Sequence, residues 1–308
     1  MLSYFKTIDG SIRPVPVWEP GCWINCVSPT EEEIAGLIQD FSIEPDFFRA
    51  AMDEEESSHV DSEDDSTLII VDIPVIEKKG RDITYATTPL GIILTEKNVI
   101  TVSTRENPIL DEFAEGVVRG VQTNLKTRFF LHLMLRIASR YLQYLKQIDR
   151  LSSQIEKELR KSTKNTQLLQ LMDIEKSLVY FSSSLKSNEV TMEKIMRGRV
   201  VKLYEEDQDL MEDVLIEVKQ AVDMSGTYLH IISTTMESFA SLISNNLNVV
   251  MKVLASMTLI ISVPMAISGF YGMNVEGIPF TESFWFPVAL SGVCMVVATL
   301  ILRKKDML

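Results

Sequence analysis

Cysteine, histidine and proline are scarce, and each scarcity excludes something. Cys22, Cys26 and Cys294 are too few and too dispersed for a disulfide scaffold or a zinc site. His59, His132 and His230 are scattered, and neither a phosphate-binding glycine loop nor a nucleophile constellation accompanies them. The chain therefore does not read as an enzyme. Lys and Arg number 30 against 43 Asp and Glu, and the net charge of −13 argues against nucleic acid as a partner. Met1 to Asp9 lack the apolar run of a signal peptide. No proline lies between Pro108 and Pro264, a stretch rich in Leu, Lys, Glu, Gln and Met for which long helices are the natural outcome.

What is present in quantity is apolar sequence near the C-terminus. Val249 to Phe270 is apolar or small apart from Lys252, and Phe284 to Leu302 carries no charge. Each approaches the roughly 20 residues that cross a bilayer as a helix. The loop from Tyr271 to Ser283 is too short to house a domain, so the two spans, 249–270 and 284–302, form a transmembrane hairpin. Buried core helices are the alternative, but these normally keep a polar face. Arg303, Lys304 and Lys305 follow the second span and Lys252 begins the first, while the loop has no Lys or Arg and carries Glu276 and Glu282. Both termini are expected in the cytoplasm, with the chain crossing the cell (plasma or inner) membrane twice.

Ahead of the membrane the pattern predicts an α+β, sandwich-like cytosolic domain over 1–107. Strands are expected at Ser3–Ile8, Cys22–Val27, Thr67–Val75, Leu90–Leu94 and Val99–Ser103. A helix is expected after a Thr30–Glu33 capping box and another from Pro45. A long-helix region follows over 108–246, with helices near 109–160 and 166–186 and a last one from about Glu189 into the membrane. Breaks are expected at Lys161–Asn165 and Ser187–Asn188, whereas Gly198 and Gly226 are taken to interrupt nothing. Residues 247–308 form the hairpin and its basic tail. A two-span hairpin cannot enclose a water-filled path, so any conducting form must be an oligomer.

Steps of three and four along the first span give Asn248, Met251, Leu254, Thr258, Ser262, Met265, Gly269 and Gly272. Polar and small residues concentrate on this stripe. Such a stripe faces a cavity or bundle interior, or lets helices approach closely.

The string Tyr271-Gly272-Met273-Asn274 at the outer end of the first span, with Asn248-Val249-Val250-Met251-Lys252-Val253-Leu254 before it, resembles the CorA family of magnesium channels. The resemblance implies a funnel-shaped homopentamer with the first span lining a central pore and the second outside it. Gly272, Met273 and Asn274 would form the selectivity filter, with Glu276 at the outer mouth. Asn248, Met251, Leu254, Thr258, Ser262, Val263, Met265 and Gly269 would line or gate the pore. Pro264 stands one residue nearer to Asn274 than in some members, which leaves Ser262 and Val263 as alternatives at one level.

Mg2+ surrenders its octahedral water shell reluctantly, so Asn274 would bind it through ion-bound waters, where carboxylates would hold it too strongly to release. The resemblance also places Asp213 where an intersubunit Mg2+ ligand is expected, which would make Mg2+ a regulator as well as cargo, closing the channel by negative feedback; Co2+ and Ni2+, as hydrated ions of similar size, are expected as further permeant ions. Its partners would be further copies of itself, divalent cations and the lipid bilayer. A transporter of zinc or another transition metal would favour His or Cys along the path, and the stripe has neither. A non-conducting cation sensor is the other alternative.

Overall fold

The protein is described by a computed structural model over residues 1–63, 65–79, 82–161, 165–197, 200–201, 203–273, 279–280, 283–305 and 307. It forms two compact units, Met1–Ser233 and Thr234–Leu308.

In the first unit, runs of Ile, Val and Leu build the sheet. Among the described residues seven strands associate: β1 (Leu2–Ile8), β2 (Ser11–Val15), β3 (Trp23–Val27), β4 (His59–Glu63), β5 (Ser66–Lys79), β6 (Asp82–Leu94) and β7 (Val99–Ser103). Their order is β2-β1-β3-β7-β6-β5-β4. β3 and β7 run parallel and the other neighbouring pairs antiparallel. β2 and β4 were not expected from the sequence. Pro14 interrupts the first and acidic residues fill the second, and both features suit the edge positions these strands occupy. β5 extends beyond its predicted run as far as Lys79, and β6 begins at Asp82 and passes through Pro89 before reaching the predicted Leu90–Leu94.

The period-2 alternation of the strands divides the core. On one face Cys22, Ile24, Cys26, Ile93, Ile100 and Val102 meet Leu37 of α1 (Glu31–Phe41) and Phe47, Phe48 and Ala51 of α2 (Pro45–Ala51). The expected capping box opens α1: Glu33 N donates to Thr30 Oγ1 at 3.2 Å and Thr30 N to Glu33 Oε2 at 3.0 Å. Burial pushes the Cys26 thiol up to about 12, so it behaves as an inert apolar filler. β6 passes α2 so closely that a Cβ on Gly91 would lie 2.4 Å from Ala51 Cβ. The other face carries Trp23 against Phe129, and Tyr85 and Tyr141 against Phe181. Trp23 and Tyr85 belong to the sheet, while Phe129 and Tyr141 come from α4 (Lys126–Lys161) and Phe181 from α5 (Asn165–Arg197).

The helical region corrects three expectations. The helix predicted over 109–160 is divided, because α3 (Pro108–Ala114) stops at its C-cap Glu115 and the chain turns through Gly116 and Gly120, with φ 69° and 76°, before α4 begins. Absence of proline does not ensure continuity where glycine supplies a left-handed stop. The break expected at Ser187–Asn188 is absent, since α5 continues to Arg197. Both side chains reach across to the sheet region, Ser187 Oγ donating to Ser58 O at 3.3 Å and Asn188 Nδ2 to Asp72 O at 2.8 Å. The next helix, α6, accordingly spans Glu205–Tyr271 and does not begin near Glu189. Gly226 lies inside α6 as expected; Gly198 falls outside the described residues.

Candidate functional site

The second unit holds the end of α6 and α7 (Trp285–Lys304), two helices long and apolar enough to cross a bilayer. Their most apolar stretches are only 6% buried within the chain, which separates them from the buried helices of a soluble core. Between Val249 and Tyr271 the less exposed residues of α6 are Ser256, Ile260, Val263, Pro264, Ile267 and Tyr271, and those of α7 include Pro287, Ser291, Cys294, Ala298 and Leu302. Each set recurs at helical spacing and forms one narrow seam. Both ends of the hairpin carry contacts. The fully buried Ser256 Oγ donates to Met307 O at 2.8 Å, and the Tyr271 ring lies 6.3 Å from that of Phe286.

The stripe read from the sequence lies away from this seam. Asn248, Met251, Leu254, Thr258, Ser262, Met265, Gly269 and Gly272 are all exposed. Val263, by contrast, is half-buried on the side of Ser256 and Ile260, so the alternatives Ser262 and Val263 point different ways. Thr258 Oγ1 donates to Leu254 O at 2.9 Å and Ser262 Oγ to Leu259 O at 2.8 Å. With each hydroxyl hydrogen committed to its own helix, the oxygens face outward as acceptors. That polarity suits the hydrogens of a cation's water shell.

At the end of α6, Gly272 N donates to Ser268 O at 2.9 Å, and a Cβ on Gly272 would lie 3.2 Å from that same carbonyl. A side chain would crowd this last turn, which gives the glycine of the motif a steric reason. Met273 is exposed. Asn274 and Glu276 lie outside the described residues. One contact went unnoticed in the sequence: the Tyr271 hydroxyl donates to Pro279 O at 3.1 Å. Its position beside a glycine turn is the signal that could have found it.

In the first unit, Asp213 is exposed on α6. Among the described residues no three His, Cys, Asp or Glu side chains converge to hold a metal, around Asp213 or elsewhere. Part of the acidic surplus lines a groove of about 760 Å³ that includes Glu54, Glu55, Glu56, Asp72, Glu77 and Asp173. There, burial pushes the Asp72 carboxyl up against an opposing hydrogen bond from Ser184, while Glu77 pairs with Arg105 at 3.2 Å.

An α/β unit followed by an exposed apolar hairpin with one polar stripe defines a two-span membrane protein. Residues 18–304 match the family described as CorA-like Mg2+ transporter protein, and the chain belongs to this CorA family. It is 28% identical over 295 residues, 92% of this chain and 90% of the relative, to the cobalt/magnesium transport protein CorA of Methanocaldococcus jannaschii. It is 22% identical over 312 residues, 99% of this chain and 88% of the relative, to the protein of the same description from Thermotoga maritima. The complete structure of the CorA magnesium transporter from Methanocaldococcus jannaschii superposes with a TM-score of 0.86 at 24% identity, covering 100% of this chain and 99% of that one. The mixed sheet, long helices and C-terminal hairpin are thus the fold of that transporter.

Proposed function

We propose that the chain is one subunit of a homopentameric channel that passes hydrated Mg2+, and also Co2+ and Ni2+, down the electrochemical gradient, with both termini in the cytoplasm. The observation that carries this reading is the exposed stripe from Asn248 to Gly272, continuous with the Gly272-Met273-Asn274 string and set apart from the seam between the spans. In the pentamer this stripe faces the axis, and Ser262, not Val263, lines the level below Met265. Thr258 and Ser262 offer water-accepting oxygens, Met251 and Leu254 form an apolar constriction that closes by dewetting, and Asn274 selects the hydrated ion at the mouth. No nucleotide is needed, because two charges crossing about 100 mV gain roughly 4.6 kcal/mol. Asp213, exposed and without a metal-binding set among the described residues of its own chain, supplies a regulatory Mg2+ ligand between neighbouring copies.

The test is uptake into liposomes of Mg2+, Co2+, Ni2+ and Zn2+ by the wild type and by Asn274→Ala, beside the oligomer's size. Mg2+ uptake lost in the mutant with assembly intact is the expected result. Near-normal selective uptake by the mutant would remove Asn274 from the filter. A wild type that favours Zn2+ would make this a zinc transporter, and one that carries no ion would make it a sensor.

A further inference from the structure

The C-terminal end of α1 carries charge of the wrong sign. A helix gathers partial negative charge at its last carbonyls, where a basic residue is the favourable neighbour. α1 has no basic residue in its last turn and places Asp40 there, one residue before its end at Phe41, with the C-cap Ser42 in the left-handed region at φ 51°. This end opens into a groove of about 610 Å³, to which the turn between β4 and β5 brings Asp65 and the turn between β6 and β7 brings Glu96. Lys97 is the single cation among its described lining residues. Three carboxylates against one lysine leave a surplus of negative charge, and the helix end adds to it.

The second feature is aromatic. Trp18 and Phe41 line the same groove, edge to face, with ring centroids 5.7 Å apart and an interplanar angle of 68°. Trp18 Nε1 donates to Asn98 Oδ1 at 3.1 Å, and the fully buried Asn98 donates in turn to Cys22 O at 2.8 Å. The ring is thus held from the core, yet it stays 39% exposed. Trp23 shows the contrast: its Nε1 is also bonded, to Thr101 Oγ1 at 2.9 Å, but its ring is fully buried. A tryptophan that only closed the core would be covered in the same way. Trp18 is instead a fixed aromatic surface beside surplus negative charge, a pairing that recognises organic ammonium groups.

A divalent metal ion does not suit this groove. Mg2+ demands an octahedron of oxygens, and among the described residues no three His, Cys, Asp or Glu side chains converge. The carboxylates come from three separate segments, so the charges of the ligand must also be spaced apart. A linear polyamine has that form, with ammonium groups separated by methylene runs that lie along aromatic rings.

We propose that this groove binds a linear polyamine, with Asp40, Asp65 and Glu96 taking its ammonium groups and Trp18 and Phe41 covering its methylenes. The site shares no residue with the stripe of α6 or with Asp213, and the proposal stands whether or not the chain conducts.

Equilibrium dialysis of spermidine against the full-length chain in detergent, with excess Mg2+ and KCl present, tests it alongside thermal unfolding. One spermidine should bind per chain and raise the unfolding temperature. Trp18→Leu should weaken binding about two- to thirtyfold, the worth of one cation–π contact, and Trp18→Phe should keep part of it. Asp40 is exposed, so Asp40→Lys carries the test even where a change at Trp18 disturbs the fold: the tethered ammonium should raise the unfolding temperature without ligand and abolish the response to spermidine. Displacement of spermidine by Mg2+, equal binding by Trp18→Leu and the wild type, or a response to spermidine that survives in Asp40→Lys would each overturn the proposal.

Discussion

Asn188 answers both backbone polar groups of Asp72: its Oδ1 accepts from Asp72 N at 2.9 Å and its Nδ2 donates to Asp72 O at 2.8 Å. The β4–β5 pairing ends at His59 opposite Ile70, so Asp72 faces a position where no strand continues. One carboxamide from α5 stands in for the missing strand. The Tyr141 hydroxyl adds a second donor to Asp72 O at 3.1 Å, and Ser58 Oγ accepts from Asp72 N at 3.2 Å.

Asn188→Ala should therefore destabilise the protein by about 1–3 kcal/mol, the cost of leaving buried polar groups short of partners. Asn188→Asp, which keeps the acceptor but buries a charge and loses the donor, should cost more. Thermal unfolding of the full chain in detergent measures both. Two variants as stable as the wild type would mean that Ser58 and Tyr141 suffice.

Glu112 of α3 accepts from Arg136 Nε at 2.5 Å and also pairs with Arg140, joining α3 to α4. Desolvation pushes its carboxyl up, but the hydrogen bonds and charges of the two arginines outweigh this and hold it below the usual glutamate range. A depressed folded-state value means that the ionised form favours the fold. The stabilisation is complete above the unfolded value of about 4.3 and is lost as pH falls through the lower folded value. Glu112→Gln should lower the unfolding temperature at pH 7, and the gap from wild type should shrink as acid protonates the carboxyl, closing below its depressed folded value. A gap of constant size across that range would show that the arginines do not respond to the charge.

Met251 and Leu254 are exposed on the stripe at 55% and 57%. If they form the apolar constriction, Met251→Gly and Leu254→Gly should widen and wet it, and current should persist at internal Mg2+ that closes the wild type. Recordings in planar bilayers across a range of internal Mg2+ decide the matter, and unchanged closure in both places the gate elsewhere.

Asp213→Lys would set a fixed cation where the regulatory Mg2+ is proposed to sit and should hold the closed arrangement without metal. Asp213→Ala should weaken the feedback without mimicking it, because a ligand shifts an equilibrium only through its preference for one state. Protease protection of the long helices, with and without Mg2+, reads both outcomes. Identical protection in wild type and both variants would return Asp213 to an ordinary solvated face.

Legibility in the sequence followed the range of the interactions. The α1 start was readable because Thr30 and Glu33 cap each other within one turn. Ser187 and Asn188 were misread as a break because the partners of their side chains lie far away in the chain, at Ser58 and Asp72, and local propensity does not contain them. The stops at Gly116 and Gly120 were visible as residues, but their left-handed conformation was outweighed by the absence of proline. The spacing of the stripe was legible in the sequence, but its exposure was not. The separation of Val263 from Ser262 needed the packing of α7, and the Tyr271–Pro279 bond needed the loop closed.

α6 runs unbroken to Tyr271, so the helix directs the negative end of its macrodipole, roughly half an elementary charge, toward the loop. In an assembly of several copies these ends add around one rim. Their attraction for cations comes from peptide groups, which neither protonate in acid nor change with the side chains they carry. In the proposed channel, a mouth stripped of Glu276 and Glu282, or bathed in acid, would still draw positive ions and repel chloride, its preference for the sign of charge then resting on the backbone.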